Sequence, residues 1–279
     1  MGKTGLFQAA EHRPFLLEGG RPAALLVHGF PGTPAEMRPL GEAFQQAGWT
    51  AQGLLLPGFG PEIESLGERT TGEWIEAVSS ALVELQKVHA PVLLLGYSMG
   101  AGLAIQAAAR QKPDGLALLA PLSKAAGFFW RVIPLLKYLM PTMRPFRAVK
   151  LDLANEQSRQ GLDNFLAGMD LADVQVQREL RNYAFPLAIL EQVRNVAIDA
   201  RQFASQVTAP VLAIQGSQDP LIRPASTRSL LELFGGPVEY LELPAAHDLP
   251  RPDQPHWPRL RSAVLEFAEK FLDPAHHTP

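Results

Sequence analysis

The chain is predicted to fold as an α/β protein, with a mostly parallel sheet covered by helices on both faces. Three observations carry that prediction. Short apolar runs alternate with longer amphipathic runs along most of the chain. Several of the short runs are apolar at every position, the pattern of strands buried on both faces. The length, 279 residues of which 47% are hydrophobic, is enough to fill one large core.

The elements follow in order. ALLVHG (24–29) is a strand, and 34–47 is a helix stopped by Gly48. TAQGLLLPG (50–58) is another strand-like run. Thr71 is expected to cap a helix over 72–89. PVLLLG (91–96) is a strand, SMGAGLAIQAAARQ (98–111) a helix and GLALLAP (115–121) a strand. Residues 122–205 interrupt the rhythm. It resumes with the strand APVLAIQG (209–216) and a helix that Pro224 opens and Gly235 closes. VEYLELP (238–244) is a strand, and 257–272 is the final helix.

Composition narrows the function classes. A formal net charge of −3 gives no electrostatic reason to expect nucleic acid as a partner. The absence of cysteine excludes disulfides, thiolate metal sites and a cysteine nucleophile, and fits a reducing cytosol. MGKTGLFQAAEHRPF has no apolar stretch long enough for a signal peptide, and Leu6 spoils a myristoylation pattern. A cytoplasmic location is therefore expected. The apolar run 92–109 approaches the roughly 20 residues of a membrane span. Pro91 before it, Gly96 and Gly100 within it, and the polar residues ahead of Pro113 divide it into a strand and a helix instead. No transmembrane segment is expected.

That division gives Ser98 its interest. In Gly96-Tyr97-Ser98-Met99-Gly100 the serine stands at a sharp strand-to-helix turn. Flanking glycines remove the Cβ atoms that would collide there, and the hydroxyl projects above the sheet beside the N–H groups of a helix start. A G-x-S-x-G pattern is weak alone, and a buried hydroxyl capping a helix is the plainer alternative. Its placement between strand and helix favours a nucleophile.

A serine needs a base, and the base needs a carboxylate to orient it. His12, His89, His276 and His277 lie near termini or a polar helix end, where surface positions are expected. His256 lies in a Pro-rich turn and is expected to be structural or exposed. His247, in PAAHDLP, follows a strand at the same sheet edge as Ser98; the alternative is an exposed loop histidine. Asp219, in VLAIQGSQDP, follows another strand by one short loop. Asp248 adjoins His247 and would point away from it, and Asp114 lies at the opposite end of its strand. The expected triad is Ser98, Asp219 and His247. The oxyanion donors are expected to be the backbone N–H groups of Met99 and of Phe30, since Pro31 has none. Phe30 is also a candidate substrate contact, and His28 is expected to brace its loop rather than act as base.

LLVHGFPGTPAEMRPL, LLLPGFG, LLLGYSMGAGLA, VLAIQGSQDPLI and PAAHDL together resemble the α/β-hydrolase superfamily. HGFPGTP and GYSMG are most similar to bacterial carboxylesterases and monoacylglycerol lipases. The resemblance covers most of the chain outside about 122–205. It implies an α/β-hydrolase core over 1–121 and 206–279 and a helical cap over 122–205. It places nucleophile, acid and base on Ser98, Asp219 and His247, and oxyanion donors on Phe30 and Met99. One departure is Phe59 in Pro57-Gly58-Phe59-Gly60, where the family often has histidine; this phenylalanine is a candidate for the wall of the site.

The middle segment opens with LSKAAGFFWRVIPLLKYLMPTMRPF. Most of its apolar residues must pack the segment onto the core. A sharper expectation is that some of Phe128, Phe129, Trp130, Met140 and Met143 wall an acyl pocket. The expected activity is hydrolysis of carboxylic esters, monoacylglycerols or other short-to-medium acyl esters, with no cofactor or metal. A C–C hydrolase, thioesterase, peptidase or cofactor-free haloperoxidase would use the same triad. A non-catalytic small-molecule receptor is the alternative from another class. Haloalkane dehalogenases and epoxide hydrolases are disfavoured because those relatives carry aspartate at the nucleophile position.

Overall fold

A computed structural model of the chain describes residues 7–124, 128–144 and 184–272, together with Val174, Arg178, Arg181 and Asn182. The main sheet has seven strands: β1 (Phe15–Leu17), β2 (Ala23–Val27), β3 (Thr50–Leu54), β4 (Val92–Tyr97), β5 (Gly115–Leu119), β8 (Val211–Gly216) and β9 (Val238–Leu243). A separate two-stranded ribbon pairs β6 (Thr142–Met143) with β7 (Phe185–Pro186). The order in the main sheet is β1-β3-β2-β4-β5-β8-β9. Only β1 runs antiparallel to its neighbour.

Strand alternation builds a core on each face. Ala23, Leu25 and Val27 of β2 and Val92 and Leu94 of β4 join one apolar cluster with residues of α2 (Thr71–Val88) and α3 (Met99–Gln111). Ala24, Leu26, Leu93 and Leu95 face the other way, onto α1 (Arg38–Gln46) and α7 (Trp257–Glu269). A period of two on strands apolar at every position thus fills both layers at once.

The elements read from sequence are present, with differences at their ends. The helix expected over 34–47 is a 3-10 turn, Pro34–Met37, followed by α1. The cap of α2 is Thr70 rather than Thr71. Thr70 accepts from the backbone N–H of Glu73, and the Glu73 carboxylate accepts from the backbone N–H of Thr70. Only a residue outside the helix can close this reciprocal box, and its partner must lie three residues on. Thr71 instead bonds Gln192 through its side chain and its N–H. Strand β1 is too short to show a period, and sequence reading missed it.

The segment 92–109 is β4, then Ser98, then the first eleven residues of α3. Among the described residues, no helix is long and apolar enough to cross a membrane. Between β5 and β8 the described residues form α4 (Phe128–Leu139), the β6–β7 ribbon and α5 (Leu187–Phe203). Ile189, Val193, Val196 and Ala200 of α5 are buried in the same cluster as α2 and α3. This helix lies within 122–205 and is the part of that segment that packs onto α2 and α3. The last helices are α6 (Pro224–Leu231) and α7.

Candidate active site

The site lies where β4 ends and α3 begins. Ser98 has φ 53° and ψ −115°, a left-handed conformation that a non-glycine residue adopts only where its surroundings enforce it. Close packing enforces it here. A Cβ at Gly96 would strike the carbonyl oxygen of Gly100, and one at Gly100 would strike the carbonyl oxygens of Val27 and His28. Glycine at both positions lets α3 start directly against the ends of β2 and β4.

The structure brings Ser98, His247 and Asp219 into one hydrogen-bonded line. His247 Nδ1 lies 2.7 Å from Asp219 Oδ2, and His247 Nε2 lies 3.0 Å from Ser98 Oγ. Asp219 has no exposed side-chain surface. Burial raises its pKa, but the His247 hydrogen bond and charge, with the N–H groups of Ile222 and Leu221, outweigh that, so the carboxyl lies below its ordinary value. An ionised carboxylate only accepts, so Nδ1 carries the imidazole proton and Nε2 presents its lone pair to the serine hydroxyl.

Neighbours hold this line in place. Asp219 Oδ1 accepts from the N–H groups of Leu221 and Ile222, both at 2.8 Å. Oδ2 also accepts from Gln215 Nε2 at 3.1 Å. Gln215 is fully buried, donates as well to Ile222 O, and accepts from Thr227 Oγ1 at 2.6 Å. Tyr97 donates its hydroxyl to His247 O at 2.8 Å, and its ring lies 5.3 Å from the imidazole. Burial, then the charges of Glu36, Asp219 and Asp248, push the Tyr97 phenol well above its usual range, so it stays a donor. Sequence reading found neither support. Gln215 stands out only as the polar residue in the apolar run VLAIQG.

Phe30 and Met99 both line the cavity at Ser98. Met99 is the first residue of α3, so its N–H has no carbonyl partner within the helix. The loop bearing Phe30 is braced from below. His28 is fully buried; its Nδ1–H donates to Gly29 O, and its Nε2 accepts from the N–H of Leu56. Burial drives its pKa down to about 4, so the ring stays neutral and keeps both bonds. Phe59 is fully buried and does not reach the wall. It packs edge-on against His28 and Phe30, at 5.0 and 6.0 Å between ring centres, because its side chain turns into the core beneath them.

Glu36 is an unexpected member of this loop. Its Oε2 accepts from the N–H of Gly29 at 3.2 Å, and its carboxyl occupies the space that a side chain at position 32 would need. Burial pushes its pKa up from 4.5 to about 8. The folded state therefore holds a proton that the unfolded chain releases near 4.5. Stability from this site is complete below that value and is lost as pH rises through about 8. Glu36→Gln keeps an acceptor for Gly29 and has no proton to lose. The variant should lose less Tm than the wild type between about pH 6 and 9. Parallel Tm curves would show that Glu36 ionises without cost.

The cavity above Ser98 has a volume of about 780 Å³. Its apolar wall includes Phe30, Leu122, Trp130, Leu190, Val193 and Ile222. Of the expected acyl-pocket residues, Trp130 stands in this wall. Met140 is 53% exposed beyond the end of α4, and Met143, on β6, packs against the core without lining the cavity. Phe128 and Phe129 begin α4, but their side chains lie outside the described residues. Leu190 and Val193, three apart on α5, were not anticipated.

The other histidines have structural places. His12 is buried, against the surface position expected, because Nδ1 pairs with Thr33 Oγ1 at 2.9 Å. His256 is buried and bonds Leu249 O, and His89 bonds Arg21 O. His276 and His277 lie outside the described residues. Asp114 bonds the N–H of Val92 at the far edge of the sheet. Among the described residues, no three of His, Asp and Glu converge as a metal site.

The family model of Hydrolase_4, serine aminopeptidase S33, matches residues 20–244. The thermostable monoacylglycerol lipase of Bacillus sp. (strain H-257) is 28% identical over 213 residues, 76% of each chain. The carboxylesterase of Bacillus subtilis (strain 168) is 22% identical over 215 residues, 77% of this chain and 78% of the relative. A solved structure from work on LipS and LipT, two metagenome-derived lipolytic enzymes, superposes with a TM-score of 0.75. That likeness covers 94% of this chain and 98% of the other at 19% identity, and is one of fold.

Proposed function

Because the chain belongs to the Hydrolase_4 (serine aminopeptidase S33) family of α/β-hydrolases, we propose that it hydrolyses carboxylic esters through an acyl-enzyme on Ser98. The observation that carries this reading is the line Asp219–His247–Ser98, at 2.7 and 3.0 Å, on the floor of an apolar cavity. Ser98 Oγ attacks the ester carbonyl while His247 Nε2 takes its proton. The oxyanion is received by the N–H groups of Met99 and Phe30. The imidazolium returns the proton to the leaving alcohol, and water then repeats the sequence to free the acid.

The two similar relatives, a monoacylglycerol lipase and a carboxylesterase, support the ester reading. So does the charge of the wall. An aminopeptidase must receive an α-ammonium group, and a carboxylate is the ordinary means. Among the described residues the cavity wall carries Lys124 and Arg223 and no Asp or Glu. In the same reading, the segment between β5 and β8 serves as the cap, with Trp130 of α4 reaching the acyl chain.

The test is a hydrolysis screen across esters, thioesters and amides of graded acyl length. Each methylene buried in the cavity contributes about 0.8 kcal/mol, so two or three added carbons should raise kcat/KM more than tenfold before the cavity fills. Trp130→Ala should move that optimum while changing turnover of an acetyl ester little. If Trp130 only packs the fold, its loss lowers stability by about 3–5 kcal/mol and leaves the length profile unmoved. Faster cleavage of amides than of matched esters would overturn the ester reading.

A further inference from the structure

A second cavity, of about 600 Å³, adjoins the one above Ser98. The two share Lys124, Ala225 and Ser226 in their walls. The second is built between one face of α5 and the start of α6. Arg194, Ala197, Ile198 and Arg201 recur at i, i+3, i+4 and i+7, so they fall on one stripe of α5. Its two arginines stand about 10 Å apart along the helix axis.

The charge of this space is one-sided. Lys124, Arg194 and Arg201 line the second cavity, and Lys124 and Arg223 line the first. Among the described residues no Asp or Glu lines either, although the whole chain has a formal net charge of −3. Elsewhere some described cations pair with carboxylates, as Arg69 does with Glu73, Arg251 with Asp253 and Lys270 with Glu239, while Arg38 and Arg110 lie over aromatic rings instead. None of these four cations has an ion-pair partner among the described residues. Arg201 has only a long bond to Ser229 Oγ, at 3.4 Å. Cations gathered around a shared space with no counter-charge raise the local concentration of anions, and guanidinium groups match oxyacids with two parallel hydrogen bonds.

We propose that this second cavity is an anion subsite, and that the esters the enzyme prefers carry a carboxylate or phosphate held by Arg194, Arg201 and Lys124 while the scissile carbonyl sits at Ser98. The inference rests on the ester reading above and adds the charge of the substrate. Bond making and breaking at Ser98 are unchanged. The anion remains on whichever fragment bears it, acid or alcohol.

Two matched pairs of esters test it. For the acyl side, the pair is 4-nitrophenyl hydrogen adipate and its methyl-capped, neutral counterpart. For the alcohol side, it is a 1-acylglycerol 3-phosphate and the 1-acylglycerol of the same chain. The expected result is a kcat/KM more than tenfold higher for the anionic member of at least one pair at low ionic strength, declining as salt is added. The pair that responds identifies the side that carries the charge. In Arg194→Gln/Arg201→Gln the anionic-to-neutral ratio should fall at least tenfold, and Arg194→Lys/Arg201→Lys should keep part of it. Glutamine is a good helix former, and a Tm measurement confirms folding of both variants. A wild-type ratio at or below one for both pairs, or a ratio that the glutamine variant leaves unmoved, overturns the proposal. Turnover of the neutral esters reports on the ester reading separately, so the two fail independently.

Discussion

Ser98→Ala should abolish labelling by a fluorophosphonate probe and lower ester turnover about a million-fold. The magnitude follows from the way a triad works. In the proposed mechanism His247 and Asp219 act only through the hydroxyl, so its loss should remove their contribution as well. On that mechanism, what would remain is binding and the proposed oxyanion donors, the N–H groups of Phe30 and Met99. The fold should survive, because alanine keeps the Cβ that Ser98 already accommodates at φ 53° and loses only the bond to His247. A Tm within a few degrees of the wild type, with turnover gone, is the expected pair of measurements. Labelling that persists in the variant would move the nucleophile to another residue.

Asp219→Asn should cost about ten-thousand-fold in kcat, and the structure says which way the amide must lie. Oδ1 of Asp219 receives two backbone N–H groups, from Leu221 and Ile222, so the amide oxygen has to take that place. Its NH2 then faces His247 Nδ1 and Gln215 Nε2, where the carboxylate oxygen accepted. Donating to Nδ1 forces the imidazole proton onto Nε2, against Ser98 Oγ, and the base is blocked. The imidazolium also loses its counter-charge. Asp248→Asn, one residue from the base and outside this line, should change kcat less than tenfold. Reversed results for the two variants would reassign the acid. A stability loss of about 1–3 kcal/mol is expected for Asp219→Asn, since two donors then confront each other in a buried site.

Most of the core was legible because its signals are local. A strand buried on both faces must be apolar at every position, so PVLLLG and VLAIQG announced themselves. The turn at Ser98 was legible for the same reason: the glycines that permit it sit two residues either side. Chain order then placed Asp219 and His247 at one sheet edge, since parallel strands send all their C-terminal loops to the same side.

What escaped the sequence is whatever depends on residues distant in the chain. His12 looked like a surface residue near a terminus, yet Thr33 and the elements around it bury it. Phe59 looked like a wall of the site, yet it turns beneath His28 and Phe30. The start of α2 moved by one residue, because a capping box is decided by two side chains together and not by the nearest threonine. Met140 and Trp130 lie in one apolar stretch, and only the direction of α4 puts Trp130 at the cavity and leaves Met140 in solvent. The sequence by itself determined the alternation of strands and helices, the turn that exposes a serine, and the identity of its candidate partners, because each follows from periodicity or from neighbours within a few residues. The tertiary structure alone decided the 2.7 and 3.0 Å contacts, the proton held on Glu36, and the meeting of Lys124 with Arg194 and Arg201. Hydrogen bonds and desolvation act over a few ångströms of space, and packing, not sequence separation, sets which groups come that close.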